Sequence, residues 1–330
     1  MKKDERWGLA QLNIFTFVGM NIREFIDGVV VRLAGVYFAQ EAKAMGIRLL
    51  QHYCGYSSYK HIVEPERVID SVQAAQLEDA VRQLEMFRPL QYVIGWQEFC
   101  GLKMEVEEGV LIPRPETEEL VLWAEEFYKE RALVKQHERK FTTQDEKIRI
   151  LDAACGSGAI AAAIANKFPK AEVYACDLSR KALEISAKNF KNNNCLNAKA
   201  FECDLLSDNA TQIICDFIGM DNRMNDGILD MIISNPPYVT NKERSQMRPN
   251  VLGYEPAEAL FVPDQDPLLF YKALERLARE LLAPGGAIFM EINEQFATET
   301  SSLFQEPYFT LNEIRKDFND KPRMVKAVKI

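Results

Sequence analysis

Four consecutive residues, Asn235-Pro236-Pro237-Tyr238, are the best equipped in this sequence to act on another molecule. They follow Ile228 to Ser234, an apolar run with the length and branching of a buried strand. The prolines fix φ and remove two backbone donors, so the turn is stiff and its carbonyls are free to accept. The Asn235 side-chain oxygen and the Pro236 carbonyl can then receive the two N–H bonds of a planar –NH2 group. An amide nitrogen of that kind is a poor nucleophile because its lone pair is delocalised. Two acceptors in fixed geometry draw it toward tetrahedral character and aim the lone pair at a methyl donor. Tyr238 supplies a face against which the planar group can pack.

Upstream, a matching ligand site is legible at three successive strand ends. Ile150 to Ala153 runs into Ala154-Cys155-Gly156-Ser157-Gly158 and then a helix, a small-residue turn that lets a ligand approach the backbone. Alone, such a turn is equally well a structural one. The next strand ends in Cys176-Asp177, roughly 20 residues beyond the glycines, where an acid can accept both hydroxyls of a ribose. The third ends in Cys203-Asp204-Leu205, where the acid can take an adenine amino group while Leu205 covers the ring. A single strand-end acid is more often a helix cap. Two of them after a glycine turn point to an adenosine ligand. A dinucleotide would want G-x-G-x-x-G, and only Gly156 and Gly158 are present.

Composition bounds the class. The 330 residues are 47% hydrophobic and 27% charged, enough for one large and one smaller core. A net charge of -9 argues against a broad basic grip on nucleic acid. Seven cysteines never form C-x-x-C, and with three histidines there is no metal constellation, so reduced thiols and no metal are expected. Acids follow directly on Met1-Lys2-Lys3, without an apolar stretch after them, and no run reaches the ~18–20 apolar residues of a membrane span. A cytoplasmic protein is expected.

The elements that must position these residues fall into three regions. Residues 1–91 read as helical: Ile22, Phe25, Ile26, Val29, Leu33, Val36 and Tyr37 form one stripe, and Ile69, Val72, Leu77, Val81 and Leu84 another, with a loop at Gly55 to Ser58. Residues 92–112 alternate around Gly95, Gly101 and Gly109 and predict a connecting hairpin, Val93–Met104 with Glu105–Ile112. Residues 113–330 open with a proline- and acid-rich helix start at Pro113 to Glu119. Lys129 to Lys147 lacks period and reads as a solvated linker, and Asp221 to Asp226 as a polar insertion. Between and after them strand and helix alternate. The last helix, Leu268 to Leu282, is expected to stop at Pro284-Gly285-Gly286 before a strand from Ala287 to Ile292. A hairpin of Phe309–Arg315 with Met324–Ile330 closes the chain. Repeated βα units imply an α/β fold with a doubly wound parallel sheet and a site at its carboxyl edge.

From about residue 22 onward the sequence resembles the bacterial protein methyltransferases that modify the glutamine of the Gly-Gly-Gln motif in peptide chain release factors. The resemblance rests on Gly95-Trp96-Gln97-Glu98-Phe99, Leu111-Ile112-Pro113-Arg114-Pro115-Glu116-Thr117-Glu118, Asn235 to Tyr238, Glu255-Pro256-Ala257-Glu258-Ala259-Leu260 and Arg315-Lys316-Asp317-Phe318. It implies S-adenosylmethionine as donor, a Rossmann-like catalytic domain, and a small N-terminal helical domain that helps hold the release factor. Carried over by motif, Ala154, Cys155, Gly156, Ser157 and Gly158 would line the methionine part of the donor. Asp177 would bind ribose, and Asp204 and Leu205 would frame adenine. Asn235, Pro236, Pro237 and Tyr238 would bind the target glutamine, with Asn235 also near the donor's methionyl end. Two departures stand out: Ala154 replaces the family's first turn glycine, and Leu205 stands where an aromatic is common.

The reaction implied is an in-line displacement that needs position more than acid–base power. No general base is assigned, since no histidine lies near the motif. A monomer with a protein substrate, no membrane and no sequence-specific nucleic acid is expected. The same tetrapeptide could hold a flipped adenine, making an adenine-N6 DNA or RNA methyltransferase the alternative. A silent scaffold is the third possibility, opposed by the intact chemistry residues.

Overall fold

The computed structural model describes residues 17–138, 147–220 and 227–330. They form two compact units that divide between Ile94 and Gly95.

The first unit is helical. Helix α1 (Ile22–Leu33) starts at Asn21, whose side chain accepts from the Glu24 N–H while Glu24 reaches back to the Asn21 N–H, a capping box. Its buried stripe is Ile22, Phe25, Ile26, Val29 and Leu33. The predicted stripe outruns the helix: Val36 and Tyr37 lie beyond it, though Tyr37 is still buried. Phe17 packs edge-on against Phe25 at 4.7 Å. Helix α2 (Ala39–Cys54) is not announced by a stripe, because it buries little beyond Ala42, Gly46, Leu49 and Leu50. It ends at Gly55, which adopts a left-handed conformation. A short α3 (Lys60–Val63), α4 (Ser71–Glu85) and a short α5 (Leu90–Ile94) complete the unit. Arg32 of α1 bridges Glu78 and Glu85 of α4, each at 2.8 Å.

The second unit opens with the hairpin of β1 (Trp96–Phe99) and β2 (Leu102–Glu105). This is shorter than the alternation suggests: residues 106–112 pair with no strand. Helix α6 (Pro115–Glu138) runs well past the expected end. The start of the supposed linker is therefore helical, and Arg131 contacts buried Asp230 and the Pro284 carbonyl. Residues 139–146 of the linker and the 221–226 insertion lie outside the described residues.

Then come β3 (Arg149–Ala153), α7 (Ala159–Lys167), β4 (Glu172–Asp177), α8 (Arg180–Asn192) and β5 (Ala198–Glu202). An unforeseen helix, α9 (Ala210–Ile218), precedes β6 (Leu229–Ser234). After the two-residue strands β7 (Val239–Thr240) and β8 (Phe261–Val262), with α10 (Pro249–Leu252) between them, follow α11 (Leu269–Leu281), β9 (Leu282–Glu291), α12 (Ala297–Ser301), β10 (Phe309–Lys316) and β11 (Pro322–Lys329).

The main sheet has the order β10-β11-β9-β6-β3-β4-β5. The five strands from β9 to β5 are mutually parallel, and the closing hairpin adds its two strands antiparallel at one edge rather than standing apart. Strand order reverses at β3, with β4 on one side and β6 on the other, which opens a crevice at their carboxyl ends. Strand β9 starts earlier than expected. Its Pro284-Gly285-Gly286 segment bulges out between the pairs Leu229–Leu282 and Met231–Ala287. Gly286 is needed there, since a Cβ would sit 2.8 Å from the Ala283 carbonyl oxygen and 3.0 Å from that of Asp230.

Alternate residues face opposite layers, as the pleat requires. Met231 and Ile233 join one buried cluster with α6 and α7, while Ile232 between them joins the other with α9 and α11.

Candidate active site

Four strand ends converge on one cavity of about 400 Å3, a size typical of small-molecule sites. Of the residues singled out in the sequence, Ala154, Cys155, Gly156, Ser157, Asp177, Asp204, Leu205, Asn235 and Pro237 line it. Gly158, Pro236 and Tyr238 do not.

The glycine turn is built by its neighbours. Ala154 has φ of 60°, a left-handed conformation that a side chain tolerates poorly. Gly156, at φ 53°, has open space where a Cβ would lie. Gly158 has a packing role: a Cβ there would meet Ser186 and Phe190 of α8 at 2.9 Å. From α8, buried Ser186 donates to the Gly156 carbonyl at 2.8 Å and buried Asn189 donates to the Ser157 carbonyl at 2.9 Å.

Asp177 accepts the Gly156 N–H at 2.8 Å and the Ser179 N–H at 2.9 Å, so it ties two loops together while lining the cavity. Burial pushes its carboxyl above the ordinary value, and these backbone N–H groups pull it back. Beneath the turn, Asp152 is fully buried and accepts from the Ala161 N–H of α7 at 2.9 Å. Its other oxygen accepts from no described residue. Burial drives this carboxyl up to about 7.

At the end of β6, Ser234 donates to the Ala153 carbonyl at 2.7 Å and so clamps the two strands that flank the crevice. The Asn235 amide nitrogen donates to the Thr117 hydroxyl at 3.1 Å. Thr117, buried in the first turn of α6, donates to Glu291 at 2.6 Å, and Tyr238 donates to the other oxygen of Glu291 at 2.7 Å. Glu291 ends β9 and is itself buried. Burial raises its carboxyl, while the two hydroxyls and the charge of Arg323 lower it. Asn293 donates to the Tyr238 carbonyl at 3.1 Å and fixes the far end of the tetrapeptide.

Two quoted segments meet at the rim. Arg114 lines the cavity and pairs with buried Glu255 at 2.6 Å, and Glu255 also accepts the Ile112 N–H at 3.3 Å. In contrast, Asp317 lies away from the cavity and holds Arg323 at 3.1 Å.

Sequence reasoning passed over Thr117, Asp152, Ser186, Asn189 and Glu291. Thr117 had a signal, since it stands inside the Pro113–Glu118 block, but a threonine in a helix's first turn also reads as a capping residue. Asp152 and Glu291 are acids within apolar strands, a mismatch that marks a buried polar network.

The relatives of this chain bear on what the cavity does. Residues 131–252 match the family described as Methyltransferase small domain, and residues 30–95 the PrmC N-terminal domain. A release factor glutamine methyltransferase of Flavobacterium psychrophilum is 33% identical over 93% of this chain and 99% of its own length. The chain belongs to the release factor glutamine methyltransferase family. The member of this family from Bacteroides thetaiotaomicron is 34% identical over 89% of this chain and 95% of its own length. Among solved structures, a methyltransferase from Pyrococcus furiosus is 17% identical, with a TM-score of 0.41, over 69% of this chain and 89% of that one. The chain is thus an enzyme, a methyltransferase that uses S-adenosylmethionine.

The cavity fits that cationic, adenosine-bearing donor. Asp177, Asp204 and Glu258 place carboxyl groups in its wall, Leu205, Ile160 and Phe270 supply apolar surface, and the open face of Gly156 leaves the backbone approachable.

Proposed function

We propose that this enzyme methylates the side-chain amide nitrogen N5 of the glutamine in the Gly-Gly-Gln motif of a peptide chain release factor. One observation carries the reading. Asn235 stands in the wall of the donor cavity with its amide nitrogen committed to Thr117, and no described residue donates to its oxygen or to the Pro236 carbonyl. Two acceptors at the end of one stiff turn match the two N–H bonds of a primary amide. When bound, S-adenosylmethionine supplies an electrophilic methyl on a sulfonium.

The chain's residues then have separable tasks. Ala154 to Ser157, Asp177, Asp204 and Leu205 hold the donor. Asn235 and Pro236 accept from the glutamine amide and orient its lone pair, while Pro237 shapes the wall beside it. Tyr238, anchored through its hydroxyl, stiffens the turn. The helical first unit helps hold the release factor. Among the described residues no helix is long and apolar enough to cross a membrane. We place the enzyme in the cytoplasm as a monomer, where release factors are its substrates.

The test is transfer of labelled methyl to purified release factor, followed by peptide mapping. Label is expected on the glutamine of Gly-Gly-Gln, with kcat falling roughly 10²–10³-fold in Asn235→Ala, the scale for loss of one preorganised polar contact. Donor affinity should change far less. Label on adenine of duplex DNA and none on release factor would overturn the reading.

A further inference from the structure

We infer that Thr117 and Glu291 are positioning residues that decide which end of the Asn235 amide faces the substrate. The inference rests on the proposed role of Asn235 as acceptor for the target amide. An asparagine side chain is nearly symmetric in shape, yet its two ends are opposite in function. Turned one way it offers an oxygen to the substrate –NH2; turned the other way it offers an –NH2 that repels it. Neither the backbone nor the shape of the turn chooses between them.

The choice is made two hydrogen bonds away. Glu291 receives hydroxyl protons on both oxygens, from Thr117 at 2.6 Å and from Tyr238 at 2.7 Å. An ionised carboxylate only accepts, so Thr117 must spend its single proton on Glu291. The Thr117 oxygen that faces Asn235 at 3.1 Å can then only accept. The group opposite it is therefore the amide –NH2, and the Asn235 oxygen is left for the substrate. Burial raises the Glu291 carboxyl, while the two hydroxyl donors and the charge of Arg323, itself held by Asp317, act in the opposite sense and favour the ionised, accept-only form that the relay uses. The relay spans three elements, the first turn of α6 and the ends of β6 and β9.

Replacing the carboxylate by an amide of the same shape inverts the relay. In Glu291→Gln the side-chain oxygen can still accept from Tyr238, and the new –NH2 can donate to Thr117. Every polar group keeps a partner, so the fold should hold. Thr117 is then released to donate to Asn235, whose amide turns over and presents –NH2 to the substrate.

The experiment compares Glu291→Gln, Thr117→Val and Thr117→Ser with the wild type in single-turnover transfer to release factor, in donor calorimetry, and by amide NMR of Asn-labelled protein. In Glu291→Gln the transfer rate is expected to fall roughly 10²-fold, as for loss of one aligned acceptor. Donor affinity should stay within about 3-fold, a difference of ~0.6 kcal/mol. The Asn235 –NH2 protons, shielded against Thr117 in the wild type, should exchange with water at least ~10-fold faster in Glu291→Gln. Thr117→Val should lose rate in the same way, and Thr117→Ser, which keeps the hydroxyl, should recover most of it. Wild-type transfer rate in Glu291→Gln, or unchanged exchange of the Asn235 protons, would overturn the relay. Absence of transfer by the wild type would instead count against the glutamine reading, since the exchange measurement needs no substrate.

Discussion

Asp152 is a carboxyl group placed in a strand interior, with one oxygen on a helix N-terminus and the other unclaimed by any described residue. Burial raises it to about 7, and the neighbouring charge of Asp177 adds to the rise. A carboxyl whose pKa is higher folded than unfolded favours the native state when protonated. Its contribution is complete below about pH 4 and is lost as pH climbs through about 7. The loss is expected to be on the order of 2–4 kcal/mol. Asp177 and Glu291 shift in the same direction, so the wild type alone cannot isolate it. Asp152→Asn removes only this titration, and its urea-unfolding free energy should fall less between about pH 5 and about pH 8 than the wild type's. Parallel pH profiles for the two proteins would mean that Asp152 ionises normally. Two residues on, Ala154 holds a left-handed backbone that costs a non-glycine residue about 1–2 kcal/mol. Strain and a half-satisfied buried carboxyl thus lie within three residues of each other, at the turn that borders the cavity, where stability is commonly given up for function.

At the scale of elements, the glycine turn after β3 is braced by α8, whose Ser186 and Asn189 donate to its carbonyls. Asn189 accepts the Glu105 N–H at 2.7 Å and donates to the Glu105 and Ser157 carbonyls at 3.0 and 2.9 Å. One side chain therefore ties the hairpin strand β2, the helix and the turn together. Asn189→Ala leaves several backbone groups without partners in the interior, at about 1–3 kcal/mol for each one left unsatisfied. The expected result is a lower melting temperature together with weaker donor binding, because the turn loses its support. A melting temperature that falls while donor affinity holds would confine Asn189 to a structural role. The same logic explains why β6 can deliver Asn235 accurately: Ser234 pins its end to β3 at the point where strand order reverses.

For the molecule as a whole, every residue lining the donor cavity lies beyond Ile94. The second unit also contains both buried clusters that sandwich the sheet. Removing residues 1–94 should therefore leave donor affinity within about 3-fold by calorimetry, or ~0.6 kcal/mol. Methylation of whole release factor should collapse, because the surface proposed to hold that protein is gone. Retention of activity on whole release factor would remove the docking role from the first unit. Loss of donor binding would mean that the second unit depends on the first for its fold.

What the sequence by itself determined is what is local to the chain. Two prolines stiffen a turn wherever they occur, an apolar run of six or seven residues makes a buried strand, and acids at successive strand ends stay near a glycine turn because parallel βα units place them there. Those features, with the motif resemblance, were enough for the fold class, the donor, and three residues that the structure places in the wall of the cavity, Asn235, Asp177 and Asp204. Tertiary structure decided the partners. Asn235 and Thr117 are 118 positions apart, and Thr117 and Glu291 are 174 apart. Nothing in the spacing of such residues distinguishes a relay from three unrelated polar side chains. The same holds for α9 and for the bulge at Pro284 to Gly286: each has a weak or misleading local pattern that packing overrides. Local chemistry is encoded in short segments. The direction in which an amide faces is settled by proton donors and acceptors brought together only when the sheet closes.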